Sequence, residues 1–146
     1  MSIALRLALS LPRDAATVPM ARRLLDRALH TLGVEEGCRD DIGLILTEAC
    51  ANVIEHALDI DDYEIMIDVS EVRCVIHVTN AGEIVDPSRL VLQTARSPLD
   101  EHGRGLHIIR ALADELYLTP ALSGGLVLQA VTTLRWTSAA GTWQRQ

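Results

Sequence analysis

The sequence predicts one α+β domain, a two-layer sandwich in which a mixed, mainly antiparallel sheet carries its helices on one face. Its 146 residues suffice for one packed core. Apolar residues recur with helical period in three segments and with period two in five others. The order of these segments is strand, helix, helix, strand, strand, helix, strand, strand, which favours helices layered on a single sheet. We therefore expect residues 1–146 to form one domain, with a frayed tail from about Thr137.

The first two elements are a strand and a helix. Residues 2–11 alternate loosely and stop at Pro12, which is typical of an edge strand because proline cannot extend a hydrogen-bonded ladder. Apolar residues with helical spacing follow from residue 17 or 19 to residue 32, and Gly33 provides a stop signal. We predict an edge strand followed by an amphipathic helix.

A second, long helix is predicted after the polar segment 35–41, running to about residue 58. Residues 63–69 and 73–79 then alternate with period two across a short polar turn, which predicts an antiparallel hairpin. The segment 80–104 shows little regular pattern beyond one helical turn near 88–93, and a loop of this length is usually a lid or binding loop. The remaining predicted elements are a helix over 106–114 and a strand pair over 115–119 and 126–136.

Charge and composition exclude several classes of function. The formal net charge is −7 and the isoelectric point is about 5.1, which argues against direct nucleic-acid binding because that requires clustered cations. All thirteen basic residues are arginines. Without lysine there is no Walker-type phosphate loop, no strand lysine of the eukaryotic protein-kinase type and no Schiff base.

The three cysteines, Cys38, Cys50 and Cys74, are widely spaced and form no metal-ligand pattern. They indicate buried thiols of a reducing compartment. The start of the sequence lacks the pattern of a signal peptide, and no apolar run approaches a membrane span. We expect a cytoplasmic protein that does not contact a membrane.

Three polar residues, Glu48, Asn52 and His56, follow one another at intervals of four in the second helix. Steps of four stay close to one helix face, so these side chains line a margin of the apolar stripe and should look into a cleft. The alternative is an ordinary buried helix with solvated or capping polar residues.

Gly103-Arg104-Gly105 lies directly before the helix that starts near Leu106. Glycines at a helix start let the main chain approach an anion closely, and the free amides at the positive end of the helix dipole suit phosphate. A plain loop-to-helix turn is the alternative interpretation.

The segment Glu48-Ala49-Cys50-Ala51-Asn52-Val53-Ile54-Glu55-His56-Ala57 resembles the N box of the GHKL nucleotide-binding superfamily of gyrases, heat-shock chaperones, histidine kinases and mismatch-repair ATPases. Together with Gly103-Arg104-Gly105-Leu106 and the domain length, it resembles more closely the anti-sigma-factor serine kinases of bacterial partner-switching systems. The resemblance extends over about residues 5–134.

This resemblance implies ATP or ADP and Mg²⁺ as cofactors. Asn52 matches the asparagine that coordinates the magnesium bridging the phosphates, and an amide oxygen suits such a hard cation. Glu48 matches the acidic residue that orients or deprotonates the attacking serine hydroxyl. His56 matches a position with a structural or nucleotide-binding role.

The glycine motifs match the superfamily unequally. Gly103 and Gly105 match the second glycine box, whose amides bind the phosphates, while Arg104 between them would face a phosphate or a partner, and Leu106 completes the motif. The first box reads Asn80-Ala81-Gly82-Glu83-Ile84, where the superfamily has Asp-x-Gly-x-Gly. Gly82 is retained, but Ile84 replaces the second glycine and forbids a positive φ there.

Asn80 stands where the superfamily has the aspartate that accepts from the adenine amino group. Its amide oxygen can still accept one hydrogen bond, without charge. The alternative for Asn80 is an ordinary residue of a strand-end turn. These replacements at Asn80 and Ile84 imply that ATP binding is weaker, altered or lost.

Two functions of different classes follow. The first is an ATP- and Mg²⁺-dependent kinase that phosphorylates a serine of an anti-sigma antagonist of the STAS type and alternately sequesters an RNA polymerase sigma factor. The second is a binding module that holds a partner without phosphotransfer. Glu48 and Asn52 favour the enzyme, whereas Asn80 and Ile84 favour the module. A detached ATP-binding domain of a histidine kinase is a third, weaker reading, since the sequence carries no helix pair with a phosphoacceptor histidine.

The resemblance further suggests a homodimer. Two arginines of the predicted lid, Arg89 and Arg96, are candidate contacts to a protein partner. The other histidines are expected to be structural or surface residues: His30, His77, His102 and His107.

Overall fold

The computed structural model describes residues 3–55, 61–80, 104–120 and 126–138. It contains five strands and three helices in these ranges: β1 (Ile3–Pro12), α1 (Thr17–Leu32), α2 (Glu36–Glu55), β2 (Asp62–Ser70), β3 (Arg73–Thr79), α3 (Arg104–Leu112), β4 (Glu115–Pro120) and β5 (Leu126–Thr133). This order confirms the predicted α+β class. The predicted lid, with Arg89, Arg96 and the turn near 88–93, lies outside the described residues.

The five strands form one sheet with the order β1-β2-β3-β5-β4. All four pairings are antiparallel, so the described strands contain no parallel pair of the kind a mixed sheet would include. Both predicted hairpin pairs are confirmed, and β1 lies at an edge as Pro12 indicated. β5 inserts between β3 and β4, which makes it an interior strand.

The hydrophobic core lies between the sheet and the three helices. In β2, Tyr63, Ile65 and Ile67 are buried against the helical layer, while the alternate residues Glu64 and Met66 are exposed on the opposite face. Each large apolar side chain buried in this way contributes about 1.5–3 kcal/mol. The alternation confirms that the helices occupy one face of the sheet.

Helix α1 has the predicted bounds. Gly33 ends it in the left-handed conformation, with φ 96°, and donates its main-chain N–H to the carbonyls of Leu29 and His30. Glycine adopts this conformation without a steric penalty, which explains why the helix stops there.

Helix α2 begins at Glu36, about six residues earlier than predicted. The polar segment 35–41 was read as a connection, but Cys38 and Ile42 lie four residues apart and are both buried. Glu36 and Asp40 are exposed on the other sides of the same part of the helix, so the segment is an amphipathic first turn. The predicted start of α2 was wrong because polar residues outnumber apolar ones in the segment 35–41.

The residues after β5 close one end of the domain. β5 ends at Thr133, and Trp136, predicted to lie in that strand, instead forms a bridge with Val34 and donates its indole N–H to the carbonyl of Glu71 at 2.9 Å. Thr137, predicted to begin a frayed tail, donates its main-chain N–H to the carbonyl of Gly33 at 2.8 Å. The chain is therefore held through residue 137.

All three cysteines are free and buried, which confirms the prediction of buried thiols. Burial raises the pKa of the Cys50 and Cys74 thiols to about 12. None of the described helices is long and apolar enough to cross a bilayer.

Candidate functional site

The central part of α2 carries two of the predicted site residues side by side. Glu48 is half-buried and Asn52, one turn later, is 8 % exposed. Ala49 and Val53, on the neighbouring face of α2, are fully buried in the core. The polar line therefore follows the margin of the apolar stripe, as its spacing predicts. His56 lies outside the described residues.

The amide of Asn52 has no protein partner in the described part of the chain. Neither its oxygen nor its nitrogen takes part in a hydrogen bond there, and neither is among the described side-chain atoms that are shielded from solvent without a partner, so the polar end of this mostly buried side chain is open to solvent. An amide left open in this way is suited to a ligand that supplies the missing contacts. Its oxygen is a fitting donor for Mg²⁺.

The described residues contain no group of three His, Cys, Asp or Glu side chains that could hold a metal ion. Mg²⁺ at nucleotide sites commonly takes one or two protein oxygens and completes its shell with phosphates and water. The residues present therefore fit a magnesium ion that arrives with a nucleotide.

Glu48 meets the second glycine motif directly. Helix α3 begins at Arg104, two residues before the predicted start, so Gly105 is its second residue. A Cβ atom placed on Gly105 would lie 2.8 Å from Oε2 of Glu48. The acidic side chain of α2 thus lies against the first turn of α3, where main-chain N–H groups lack helical partners and the dipole is positive.

The other residues of the second glycine motif have different positions. Leu106 is 3 % exposed and belongs to the hydrophobic core, so its side chain packs the core. The main chain of Arg104 opens α3, but its side chain lies outside the described part. Gly103 and Gly82 also lie outside it.

Asn80 connects three elements through its side chain. Its Nδ2 donates to the main-chain carbonyl of Val53 at 2.7 Å, and its Oδ1 accepts from the main-chain N–H of Leu126 at 2.6 Å. The two partners fix the orientation of the amide, because a carbonyl can only accept and an N–H can only donate. Asn80 is 1 % exposed and joins the end of β3 to α2 and β5.

The contact with Val53 explains why an asparagine suits this position. The main-chain carbonyl of Val53, near the last described residue of α2, accepts a hydrogen bond from Nδ2 of Asn80. An ionised aspartate could not donate to that carbonyl. One lone pair of Oδ1 and one N–H of Nδ2 remain for other partners.

Three of these contacts join residues far apart in the sequence, and no sequence signal indicates them. Glu48 and Gly105 come from two separate motifs, and Asn80 is 27 residues from Val53 and 46 from Leu126.

A groove of about 450 Å³ lies on the other side of α2, between α1 and α2. Its lining includes Val18, Arg22, Thr47 and Ile54, and neither Glu48 nor Asn52 belongs to it. Glu48 therefore lies against α3, and neither it nor Asn52 lines this groove.

Comparison with known proteins identifies the family of the domain. The profile of the histidine kinase-like ATPase domain family matches residues 11–132. The chain belongs to this family. The predicted resemblance to GHKL proteins is thereby confirmed.

Relatives of known name are serine-protein kinases. RsbW of Bacillus thuringiensis (strain Al Hakam) and RsbW of Bacillus cereus (strain 03BB102) are each 24 % identical to this chain over 122 residues. RsbW of Bacillus mycoides (strain KBAB4) is equally similar. The alignments cover 77 % of this chain and 76 % of each relative.

A solved structure shares the fold. The crystal structure of the RsbU and RsbW domains of Rv1364c from Mycobacterium tuberculosis superposes with a TM-score of 0.67 at 17 % identity. The match covers 92 % of this chain but 35 % of that protein, so this chain spans about a third of its length.

Proposed function

We propose that this protein is an ATP- and Mg²⁺-dependent serine kinase that phosphorylates a STAS-type anti-sigma antagonist and, in alternation, sequesters a sigma factor in the cytoplasm. One observation carries the proposal. An acidic side chain and an open amide, Glu48 and Asn52, lie one turn apart on α2, and Glu48 is in contact with the N-terminal turn of α3. The named relatives, all serine-protein kinases, support the same activity.

Each group has a separate role in the proposed transfer. Glu48 accepts the proton of the antagonist's serine hydroxyl as its oxygen attacks the γ-phosphorus, and the bond to the ADP oxygen breaks with its electron pair. The amide oxygen of Asn52 would hold a magnesium ion that arrives with the nucleotide. Bound Mg²⁺ neutralises phosphate charge. The free amides of α3 stabilise the transferring group.

A matched pair of variants tests the enzyme. Glu48→Gln removes the base and keeps the shape, so we expect phosphotransfer to a candidate antagonist to fall about 10²–10⁴-fold, with ADP affinity retained. Glu55→Gln alters an exposed carboxylate on the same helix and should leave transfer unchanged. Radiolabel incorporation and calorimetry with Mg²⁺ measure the two quantities. Absence of ATP and ADP binding would exclude the kinase.

A second candidate, a binding module without phosphotransfer, is favoured by one observation. The Asn80 side chain already binds two main-chain groups, which leaves a limited capacity for adenine. This candidate predicts that antagonist or sigma factor binds equally well with and without Mg-ATP. A nucleotide-dependent change in either affinity, read by calorimetry, supports the kinase instead. Sedimentation in the same buffers tests the proposed homodimer.

A further inference from the structure

Gly105 is a glycine for reasons other than its main-chain conformation. Among the described residues, Gly33 alone has a positive φ, so the helical φ of Gly105 is open to any residue. Alanine is more favourable than glycine inside a helix. A glycine at this point of α3 therefore indicates a need for space.

The space is filled by the side chain of Glu48. A Cβ on Gly105 would lie 3.6 Å from the Cβ of Glu48 and 3.8 Å from its Cδ, which are ordinary van der Waals distances, but 2.8 Å from Oε2. Glu48 thus extends along Gly105, and only its carboxylate oxygen would overlap with an added methyl group.

The carboxylate is also the part that can move. Helix α2 is fixed by the fully buried Ala49 and Val53, and α3 by Leu106 and Ile109, which are 3 % and 0 % exposed. Interiors packed in this way resist displacement of the main chain. Glu48 is half-buried and has rotatable bonds, so an alanine at position 105 would displace its carboxylate and leave both helices in place.

We propose that Gly105 is a positioning residue for Glu48: its missing side chain lets the Glu48 carboxylate lie against the first turn of α3. The inference rests on the proposed kinase function for the catalytic role of Glu48. It assigns to Gly105 a task separate from contact with phosphate, namely holding the proton acceptor at the end of the helix where its charge is favoured.

A thermal-unfolding experiment tests the contact without requiring activity. Gly105→Ala is expected to lower Tm in the wild-type background, because the carboxylate is forced away. In the Glu48→Ala background the obstacle is gone, and the same change is expected to raise Tm through the better helix propensity of alanine. An equal shift of the same sign in both backgrounds would overturn the proposal.

The chain offers a matched control at Gly43. A Cβ there would lie 2.9 Å from Nε of Arg22, a comparable overlap with a flexible charged side chain on a different neighbour. The Tm shift caused by Gly43→Ala should be the same in the wild-type and Glu48→Ala backgrounds. Only the Tm shift caused by Gly105→Ala should differ between the wild-type and Glu48→Ala backgrounds.

Phosphotransfer kinetics test the positioning role. Gly105→Ala should lower kcat by about 10²-fold, the scale expected for a displacement near 1 Å, with ADP affinity within about threefold of wild type. Glu48→Asp withdraws the carboxylate from position 105. The double variant Gly105→Ala/Glu48→Asp should therefore lose less activity than the product of the two single losses.

The outcomes separate this inference from the proposed function. If ADP affinity falls as far as kcat in Gly105→Ala, Gly105 acts on the nucleotide and the inference is overturned. If the Tm shifts reverse as expected but the wild-type protein transfers no phosphate to any antagonist, the kinase function fails and the catalytic part of the inference fails with it, while the steric contact stands.

Discussion

Two asparagines, both near the C-terminal end of α2, have the same side chain and opposite surroundings. Asn80 is 1 % exposed and binds Val53 on one side and Leu126 on the other. Asn52 is 8 % exposed and has no hydrogen bond within the described residues. Burial alone does not distinguish them; the state of their hydrogen bonds does.

The difference predicts a structural role for Asn80 and a ligand-binding role for Asn52. A buried amide with both ends bonded contributes to stability, and its loss leaves main-chain groups unsatisfied. The amide of Asn52 is not among the described polar atoms that are shielded without a partner, so it is open to solvent and can contact a ligand. Substitutions at Asn80 should therefore act on stability, and those at Asn52 on nucleotide binding.

Asn80→Asp should give the largest effect. It keeps the size of the side chain but replaces the donor to the Val53 carbonyl with an acidic oxygen, so we expect the free energy of unfolding to fall by roughly 3 kcal/mol near neutral pH. Urea denaturation measures this free energy of unfolding. The loss should shrink at pH 4.5, because a protonated carboxyl can donate to that carbonyl again. Asn52→Asp, with no bond to break, is the matched control and should cost far less.

Asn52→Ala should weaken nucleotide binding and spare stability. We expect the Mg²⁺-dependent part of ADP affinity to fall by at least about 10-fold, since even a group that only orients a metal ligand contributes that much. Calorimetry with Mg²⁺ and with EDTA isolates this part. Equal ADP affinity in wild type and variant with Mg²⁺ present would place the metal elsewhere.

Substitution of His77 should give the smallest of these effects, a change in the pH dependence of stability. Unlike the amide of Asn52, its Nε2 is a buried atom without a partner in the described chain, and His77 lies on the sheet, where its neighbours across the strands are Met66 and Gln129. Burial lowers its pKa, and Asp68 partly opposes this. The unfolded chain, with a histidine pKa near 6.5, therefore takes up the proton first, and stability is lost as the pH falls.

His77→Gln tests this pH dependence. Wild-type protein should lose some free energy of unfolding between pH 8 and pH 5.5 that the variant does not lose. His107→Gln, at an exposed position of α3, serves as the control and should retain the wild-type profile. Parallel profiles of wild type and His77→Gln would mean that this histidine titrates alike in both states.

Local patterns in the sequence were sufficient for most of the fold. The period-two segments and the helical segments each depend on neighbours within one element, so α1, the two hairpin strands and β4 are found close to their predicted bounds. The start of α2 was missed because its first turn has a single buried residue, Cys38, between charged neighbours. The N-box spacing likewise placed Glu48 and Asn52 correctly on one helix margin.

Contacts between distant segments could not be predicted in this way. The role of Asn80 depends on a carbonyl of α2 and an N–H of β5, and the reason for Gly105 depends on a carboxylate in another helix. Neither contact leaves a periodic pattern in the sequence, since each joins single residues from separate segments. The sequence therefore located the candidate residues without showing which of them are already engaged by the protein.

The strand order has a consequence for how the domain is assembled during synthesis. β1, β2 and β3 can pair as soon as they leave the ribosome, but the free edge of β3 stays uncovered until β5 follows about fifty residues later. β4, made before β5, has no described strand to pair with until then. A chain interrupted between β4 and β5 would leave one edge of β3 and both edges of β4 without a described partner strand, and unpaired strand edges lead to aggregation. Nonsense mutations in this interval should thus yield insoluble fragments and not a partly active kinase.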